Sequence, residues 1–399
     1  MNSSEKVYQQ NSYLTTLQSE VLSCVKNDNR YQVILDRTIF YPHMSGGQPK
    51  DEGTINGIKV LDVIETVNDI IHVVQEPLSG TVSLSIDFKT RFDYMQQHTG
   101  QHMLSYAFAS LYNANTIGFH LGDDYTTIDL DINPSSEMIE NVEILANQNI
   151  YSNRNIIFHN LPYDEVLKLN MRKAPPKLDF LRIMEIEGND TVACGGTHVK
   201  STGEVGIIKI IKSEKYKSGS RIEFLCGKRA LNDYMSKHDN IINLSASLSC
   251  KSNMIIDNLN KIFNENKCLK KNMISLQNEL NEFKAKELQN LATSKNNVNF
   301  IIEKYQHNNI DIKELRYICS KSVEGNNKVT FLIYEDDTTC SIVLGQSDNL
   351  NFDIKNIFEK CKSLLNIKGG GNNKLIQGTG TVLNKSDECL SLVKRLLLI

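Results

Sequence analysis

"RFDYMQQHTGQHMLSYAFASLY", residues Arg91 to Tyr112, spaces its apolar side chains at intervals of three and four, without a proline or a strand-like run. This spacing predicts an amphipathic helix. His98 and His102 are four residues apart in it, so both imidazoles project from one helix face, about 6 Å apart. The segment thus offers two nitrogen ligands on a single helical turn, and the rest of the fold would have to supply any others.

A second pair stands in "TVACGGTHVK", residues Thr191 to Lys200, where Cys194 and His198 are separated by two glycines and a threonine. Glycines let the backbone turn sharply, so that both side chains can face the same point. One cysteine and three histidines form a ligand set suited to Zn²⁺. We therefore predict a zinc site made of His98, His102, Cys194 and His198. The alternative is two unrelated core histidines and a buried thiol.

The expected chemistry of this site is hydrolytic. Four protein ligands are typical of a structural zinc, whereas a catalytic zinc usually keeps three and a water. The surrounding segment is long enough to fold without a metal staple, so we expect the four ligands to form a catalytic centre in which zinc polarises an ester carbonyl or activates water. Cys194 would then be a displaceable ligand. No glutamate accompanies the helix pair, as it would in H-E-x-x-H, so the motif names no general base.

Composition limits the partners and the compartment. The formal net charge is −3, which excludes a global basic field, so any nucleic acid would have to bind a local patch. Nine cysteines, an odd number without regular spacing, indicate reduced thiols. No apolar run reaches the roughly 18 residues that a membrane span requires. We expect a cytoplasmic protein with no membrane partner.

The pattern of predicted elements indicates an α+β multidomain chain. Residues 1–90 contain short β-rich runs that fit a small β-barrel, and residues 91–230 fit an α+β zinc-containing domain. Residues 231–292 contain no proline and predict a helical, coiled-coil-like connector. Residues 293–399 alternate strands with helices, which predicts a compact α/β domain.

The connector carries a seven-residue repeat. One series comprises Ile262, Leu269, Leu276 and Phe283, and an offset series comprises Leu259, Asn266, Met273, Leu280 and Glu287. This is the pattern of a coiled-coil seam in which Asn266 sets the register. An antiparallel or dimeric coiled coil is one interpretation, and an amphipathic helix packed on a core is the other. A homodimer, formed through residues 255–290 or through the C-terminal domain, is a further expectation.

"HTGQHMLSYAF" together with "CGGTHV" closely resembles the editing domain shared by alanyl-tRNA synthetases and free-standing AlaX proteins. The resemblance begins at "LDRTIFYPHMSGGQPKDEGTI", similar to the family's β-barrel, and continues through "GFHLGDDYTTIDLD" and "SGSRIEFLCG". The tail resembles a DHHA1-type domain, so that nearly the whole chain is covered. About 30 residues precede the barrel stretch, where a synthetase needs several hundred. The resemblance therefore implies the long form of AlaX.

This resemblance implies a zinc-dependent deacylase that acts in trans on mischarged alanine tRNA, removing serine; whether glycine is also removed stays open. Such an activity is needed because the aminoacylation site for alanine rejects an added hydroxyl only weakly, so a second site must hydrolyse the wrong product. A zinc-stapled RNA-binding protein without hydrolysis is the alternative. A phosphoesterase is disfavoured, since the chain lacks a D-H-H motif and an aspartate cluster.

Two residues are candidates for recognising the amino acid. Thr116, at the start of "TIGFH", could hydrogen-bond the serine hydroxyl, although a plain strand threonine is the alternative. Gly118 could keep the pocket open beside it.

Basic residues on the predicted hairpin that follows the Cys194 loop are candidates for contacting tRNA phosphates, namely Lys215, Lys217 and Arg221. A charged hairpin is also often just a solvated face, and Arg221 could instead pair with Glu223 or Asp129.

In the C-terminal domain, "KGGGNNKLIQGTG" reads as a glycine-rich loop whose backbone amides could bind phosphate. The candidates there are Gly369, Gly370, Gly371 and Gln377. The family more often has Pro-Asp where this chain has Asn373 and Lys374, which weakens the implied tRNA contact.

Overall fold

The computed structural model describes residues 4–43, 47–67, 69–305, 310–381 and 383–398. The chain forms two compact units, Met1–Ser247 and Leu248–Ile399. Helices and β-sheet occur in both, so the α+β multidomain class is confirmed. Across the described ranges, no helix combines the length and apolarity that crossing a bilayer demands.

The first unit opens with strands and one helical turn. Their bounds are β1 (Glu5–Lys6), α1 (Val7–Gln10), β2 (Thr16–Asn27), β3 (Arg30–Leu35), β4 (Arg37–Thr38), β5 (Gly53–Ile55), β6 (Ile58–Lys59), β7 (Asp62–Glu65), β8 (Ile70–Val74) and β9 (Thr81–Ile86). Seven of them form a sheet in the order β6-β5-β9-β2-β3-β8-β7, and β1 pairs with β4. Strand β9 alternates exposed and buried residues, which places one face of the sheet on an apolar core.

The two edges of this sheet meet. Only Val60 and Leu61 separate the edge strands β6 and β7. The amide of Val60 donates to the Gly53 carbonyl at 3.0 Å, and that of Leu61 to the Val73 carbonyl at 2.8 Å. The chain therefore passes directly from one edge of the sheet to the other, and the small β-barrel stays a prediction.

The rest of the first unit surrounds one central helix. The elements are α2 (Phe88–Tyr112), β10 (Thr116–Leu121), β11 (Thr126–Leu130), α3 (Ser136–Tyr151), β12 (Ile156–Pro162), α4 (Tyr163–Val166), β13 (Phe180–Ile186), β14 (Asp190–Ala193), β15 (Ile208–Tyr216), β16 (Gly219–Cys226) and α5 (Gly227–Ser247). A four-stranded sheet has the order β10-β11-β16-β15, and a three-stranded sheet has the order β12-β13-β14. Asp87 caps α2 by accepting from the amides of Lys89 and Thr90, and Asn113 ends it in a left-handed conformation.

Helix α2 is more deeply buried than an amphipathic helix would be. Almost every residue from Met95 to Ser105 is buried, including polar ones. Gln97 satisfies both ends of its amide on the backbone of Cys226. A Cβ on Gly100 would lie 2.2 Å from the Cys226 sulfur, so only glycine permits this approach of helix and strand. The predicted helix is therefore confirmed, and its polar side chains are buried as well because sheets pack around α2.

A buried ion pair fastens α2 to the N-terminal sheet. The Arg91 guanidinium binds both carboxylate oxygens of Asp51, with Nε to Oδ1 at 2.7 Å, and both side chains are inaccessible to solvent. Arg91 also donates to the carbonyls of Ser12 and Ile39, and Asp51 accepts from the amide of Tyr41. The pair holds the N-terminal part of α2, two turns before His98.

The second unit contains one mixed sheet with helices on it. Its elements are α6 (Ile255–Asn290), β17 (Thr293–Lys295), β18 (Val298–Lys304), α7 (Ile312–Ser322), β19 (Lys328–Glu335), β20 (Cys340–Gln346), α8 (Ile354–Leu365), β21 (Ile367–Gly371), β22 (Leu375–Gly380) and α9 (Ser386–Leu398). The sheet order is β17-β18-β19-β20-β22-β21, with β18 and β19 parallel. Two apolar cores cover its faces.

The segment predicted as a connector holds two helices, because α5 ends at Ser247 and α6 begins at Ile255. Residues 261–280 of α6 are all exposed. Its first residue, Ile255, is buried, and so are Asn281, Ala285 and Leu288 near its end, of which Ala285 and Leu288 join an apolar core. The core-packed interpretation therefore applies to the last turns of α6 and not to its centre. The division into four domains stays a prediction.

Candidate metal centre and adjoining cavity

The structure brings the four predicted ligand residues to one point. His98 and His102 come from α2, and Cys194 and His198 come from the loop after β14. One ligand atom from each lies within 4.8 Å of the others. The Cys194 sulfur is 3.2 Å from Nε2 of His198 and 3.5 Å from Nε2 of His98. Ligands of a tetrahedral zinc are separated by about 3.3–3.6 Å, given the usual metal–ligand bond lengths.

Two of the histidine rings are oriented by polar contacts at Nδ1. Nδ1 of His98 lies 3.0 Å from the carboxamide oxygen of Gln48, which can only accept, so this nitrogen carries the proton. Nδ1 of His198 lies 3.1 Å from the hydroxyl of Thr99. In both rings Nε2 is left to face Cys194. Such partners orient the imidazoles that bind metals.

His102 provides the sharpest test of fit. Both of its ring nitrogens are buried and neither has a hydrogen-bond partner among the described residues. Leaving such groups unpaired costs about 1–3 kcal/mol each, so a buried imidazole of this kind needs an explanation. A metal ion held by His98, His102, Cys194 and His198 would supply it, and the donor set of three nitrogens and one sulfur fits zinc.

Burial also sets the protonation of these groups. It lowers the pKa of His98 to about 3, with a further contribution from the Arg182 charge. Burial likewise lowers the pKa of His102 and of His198 well below the usual value. The three rings are therefore neutral at physiological pH, as ligation requires. Burial raises the pKa of the Cys194 thiol, so only a bound cation would convert it to the thiolate.

The reason for a glycine in the Cys194 loop differs from the one the sequence suggested. Gly196 does not adopt a left-handed conformation. Instead, a Cβ on Gly196 would lie 2.2 Å from the His98 ring, so the backbone can pass this close only without a side chain. Arg182 holds the same loop by donating to the carbonyls of Cys194 and Gly196, both at 2.9 Å.

A cavity of about 310 Å³ opens beside His102 and contains both predicted recognition residues, Thr116 and Gly118, in its wall. The Thr116 hydroxyl donates to Oγ of Ser105 at 2.7 Å, and the Gln101 amide donates to the same oxygen at 2.8 Å. Thr116 is thus held in place with free lone pairs. A Cβ on Gly118 would lie 2.8 Å from the Asp129 carboxylate, so this glycine also makes room for that side chain.

Two basic residues that the sequence did not single out line the cavity. Arg172 and Lys173 border it and an adjoining space of about 360 Å³. Arg172 is paired with the buried Asp190 at 3.0 Å. Lys173 is exposed and forms no ion pair within the described parts of the chain. Both lie in an irregular stretch between α4 and β13, which carries no periodic pattern to reveal them.

Of the three basic side chains predicted on the hairpin, Arg221 is already paired within the protein. Arg221 binds the Asp129 carboxylate at 2.7 and 2.9 Å and stacks on Tyr216 at 3.9 Å. This pairing favours the structural alternative for Arg221. Lys215 and Lys217 are exposed, and the Lys217 ammonium lies 5.0 Å from the centre of the Tyr216 ring.

Lys215 lies at the same end of the sheet as the cavity. Residues Thr116, Leu130, Ser220 and Lys215 form one row across the four strands. Three strand spacings place Lys215 about 14 Å from Thr116. A ligand of modest length could therefore reach both.

The C-terminal candidates lie in the second unit, apart from the unit that holds the histidines. The prediction of a loop there was wrong, because Gly369, Gly370 and Gly371 form β21 and pair with β22. An extended strand cannot form the concave phosphate nest that was expected. Gln377, on β22, keeps a buried side-chain oxygen without a partner among the described residues.

Comparison with known proteins adds a second line of evidence. Residues 181–223, which include Cys194 and His198, match the model of the threonyl and alanyl tRNA synthetase second additional domain. The chain is 32% identical over 396 residues to alanyl-tRNA editing protein AlaX-L of Pyrococcus horikoshii, with 94% of each chain covered. It is 28% identical over 409 residues to alanyl-tRNA editing protein Aarsd1 of Rattus norvegicus, covering 97% of this chain and 96% of that protein. Alanine–tRNA ligase of Pyrococcus furiosus is 28% identical over 409 residues, which cover 97% of this chain and 43% of the ligase.

Proposed function

The chain belongs to the family of alanyl-tRNA editing proteins, and we propose that it hydrolyses the ester of alanine tRNA that carries the wrong amino acid, serine above all. The observation that carries this proposal is the set of four ligand atoms within 4.8 Å of one another. They adjoin a cavity whose wall holds a threonine hydroxyl. The proposed metal site thus lies beside a cavity that could bind a small polar side chain.

Zn²⁺, when bound, would supply a Lewis acid that polarises the ester carbonyl or lowers the pKa of water. His98, His102 and His198 would hold it as neutral ligands. Cys194 is the least buried of the four and is the ligand that we expect to yield its place. No carboxylate lines the cavity in the described part of the chain, so we assign no general base.

Thr116 is the proposed discriminator between serine and alanine. Its hydroxyl is positioned by Ser105 and can accept a hydrogen bond from the serine side chain. Alanine lacks that group, so its ester would leave polar groups of the cavity unpaired. Gly118 lines the same cavity and is the second proposed contact of the amino acid. Glycine, which is smaller still, is an open second substrate.

The tRNA end would enter past basic residues. Lys173 borders the cavity beside His102 and the space that adjoins it, and its ammonium group could neutralise a phosphate of the 3′ end. Lys215 and Lys217 could contact the acceptor stem further out. Gly369–Gly371 and Gln377 of the C-terminal unit remain proposed contacts elsewhere on the tRNA.

The finer architecture and location form part of the same proposal. We assign residues 1–90 to a β-barrel, 91–230 to the zinc-dependent editing domain, 231–292 to a helical connector and 293–399 to a DHHA1-type domain. Partners would be mischarged alanine tRNA and a second copy of the chain. We also propose a cytoplasmic location, where charged alanine tRNA would be available as substrate.

The decisive experiment follows hydrolysis of alanine tRNA charged with radiolabelled serine, glycine or alanine, using zinc-loaded and metal-stripped protein. We expect rapid loss of acid-precipitable serine, little loss of alanine, and no catalysis without metal. Zinc-loaded protein that binds the tRNA yet leaves seryl ester intact would contradict hydrolysis and establish the alternative, a zinc-stapled RNA-binding protein.

A variant tests the contact at the tRNA end. Lys173→Ala should raise the KM for seryl-tRNA several-fold and leave kcat unchanged, because uniform binding is lost without an effect on the chemical step. Lys168→Ala, an exposed lysine of the same region that does not border the cavity, is the matched control. Equal KM values for the two variants would refute the role of Lys173.

A further inference from the structure

Arg172 is held in place where it borders the cavity beside His102. Its Nε lies 3.0 Å from Oδ1 and 3.1 Å from Oδ2 of Asp190, and its Nη2 lies 3.1 Å from Oδ2. The Asp190 side chain is 1% exposed, and the amide of Arg172 donates to the Thr191 carbonyl at 3.3 Å. Asp190 and Thr191 belong to β14, the strand that leads into the Cys194 loop. The guanidinium is therefore fixed relative to that loop.

Part of this guanidinium has no partner in the protein. Nε and Nη2 face Asp190, whereas Nη1, which carries two N–H donors, makes no hydrogen bond to any residue that the structure describes. Arg172 borders both the cavity that contains His102 and Thr116 and the space that adjoins it. Its side chain is 15% exposed, so it is largely shielded from solvent. Two N–H donors are thus available to a molecule bound in the cavity.

Hydrolysis of an ester creates a negative charge that such donors stabilise. The oxygen of water forms a bond to the carbonyl carbon and gives up a proton to solvent, while the carbonyl π electrons move to the carbonyl oxygen. The tetrahedral anion then breaks its bond to the 3′-oxygen of the ribose, which keeps the electron pair and takes up a proton from solvent. Between these steps the former carbonyl oxygen is charged, and donors already in place stabilise it without reorganisation.

We propose that Arg172 is a catalytic residue whose Nη1 donates to this oxygen, and that Asp190 positions it; the inference rests on the proposed hydrolysis. Two cations border the cavity. Lys173 is exposed, so its ammonium group would first have to be immobilised, whereas Arg172 is already fixed by Asp190. No carboxylate lines the cavity within the described residues, so an anion formed there meets no opposing charge.

Steady-state kinetics of the zinc-loaded, full-length protein on seryl-tRNA test this role. Arg172→Gln should lower kcat about 100-fold and leave KM within about twofold, because the donor acts only once the charge has formed. Arg229→Gln is the matched control, since Arg229 is 13% exposed, forms a similar bidentate pair with Asp93 and does not line the cavity. A kcat for Arg172→Gln equal to that of the control overturns the assignment. So does a loss confined to KM, which would mean that Arg172 binds a tRNA phosphate.

The positioning role of Asp190 has a separate test. Asp190→Asn leaves the guanidinium in the protein but removes the charge that holds it. This variant should lower kcat about tenfold on its own and have no further effect on kcat in an Arg172→Gln background, as expected of two residues that act as a unit. Effects on kcat that simply add would show that Asp190 acts independently of Arg172.

Two adenosine analogues separate failure of this inference from failure of the proposed hydrolysis. One carries serine on a 3′-amide, which is neutral at the reacting carbon. The other carries the phosphonate analogue of serine on the 3′-oxygen, and its anionic tetrahedral phosphorus imitates the adduct. Calorimetry should show that Arg172→Gln weakens binding of the phosphonate about 100-fold and of the amide by no more than about twofold, with the zinc content unchanged.

Equal effects of Arg172→Gln on the two analogues would overturn the role of Arg172 while the proposed hydrolysis stands. A joint loss of zinc and of both analogues would assign Arg172 a structural role instead. If the wild-type protein binds neither analogue and leaves seryl-tRNA intact, the proposed hydrolysis itself fails, and the inference fails with it.

Discussion

The carboxamide oxygen of Gln48 lies 3.0 Å from Nδ1 of His98, although the two residues are 50 positions apart in the chain. The same carboxamide donates through Nε2 to the Thr197 hydroxyl at 2.8 Å. Gln48 therefore joins the two segments that carry the predicted metal ligands. Its position couples the N-terminal sheet to the orientation of the site.

Replacing Gln48 should lower the affinity of the site for zinc. In Gln48→Leu, the His98 ring loses the acceptor that fixes its tautomer, and loss of such partners typically costs 10- to 100-fold in metal affinity. Competition with a fluorescent chelator measures the change. Gln18→Leu, at an exposed position, serves as the control. Equal zinc affinities for the two variants would show that the Gln48 contact is dispensable.

His102 leads to a prediction about stability with and without metal. Because its ring nitrogens are buried and unpaired, His102→Leu should leave the metal-free protein as stable as before, or more so by about 1 kcal/mol. The rise in melting temperature that zinc confers on wild type should vanish. Thermal unfolding with zinc and with chelator measures both quantities.

The control for that experiment is His159→Leu, which removes a partly exposed histidine bound to Glu185 at 3.1 Å. It should keep the full zinc response. If His102→Leu destabilises the metal-free protein by several kcal/mol, the His102 ring makes stabilising polar contacts of its own. Its burial would then need no metal to explain it.

The two ligand pairs were predictable because each is local. An i, i+4 spacing on a helix, and a loop of four residues, both place side chains together without knowledge of the rest of the fold. Gln48 was not predictable, since its contact depends on how the N-terminal sheet docks on α2. Lys173 was missed for another reason, as it lies in an aperiodic stretch.

The prediction of secondary structure failed where the sequence lacks the alternation of side chains that identifies a strand. Gly369, Gly370 and Gly371 carry no side chains, so the alternation that identifies a strand is absent from β21. Strand β2 is interrupted by an irregularity between Val21 and Ser23, which breaks its alternation as well. The interpretation of the "KGGGNNKLIQGTG" stretch as a loop followed from its glycines alone, whereas pairing with β22 decides its conformation.

The discriminating role of Thr116 predicts a substrate-dependent loss. In Thr116→Val the volume is nearly kept and the hydroxyl is lost, so kcat/KM for seryl-tRNA should fall tenfold or more, about 1.4 kcal/mol. The value for glycyl-tRNA should change little, because glycine offers no hydroxyl. Thr126→Val is the control, since the buried Thr126 hydroxyl has no partner among the described residues. Equal losses on both substrates would contradict recognition of serine by Thr116.

The buried pair of Asp51 and Arg91 should be costly to break. Asp51→Asn leaves a solvent-inaccessible guanidinium without its counter-charge, and breaking such a pair typically costs about 3–5 kcal/mol. Urea unfolding followed by circular dichroism should show this loss. Asp233→Asn disrupts the exposed pair with Lys237 at 2.6 Å and should cost less than about 1 kcal/mol. Comparable small effects at both positions would mean that the buried pair is not needed to dock α2.

His72 predicts how stability depends on pH. It is fully buried, with Nε2 at 2.8 Å from the Thr38 hydroxyl and Nδ1 at 3.3 Å from the Val33 carbonyl. Burial lowers its pKa to about 4 against an unfolded value of 6.5. Between these values the unfolded chain binds the additional proton, so this contribution to stability is complete above about pH 7 and is lost as the pH falls from 6.5 to 4.

The loss attributable to His72 amounts to about 2 kcal/mol at pH 5. Urea unfolding of wild type and His72→Gln at pH 8 and pH 5 isolates it, because all other titrations are common to both proteins. Relative to wild type, the free energy of unfolding of His72→Gln should therefore be higher at pH 5 than at pH 8 by that amount. His120→Gln, at an exposed position, should show no such shift. A difference between wild type and His72→Gln that is the same at both pH values would mean that His72 gains its proton as readily in the folded protein as in the unfolded chain.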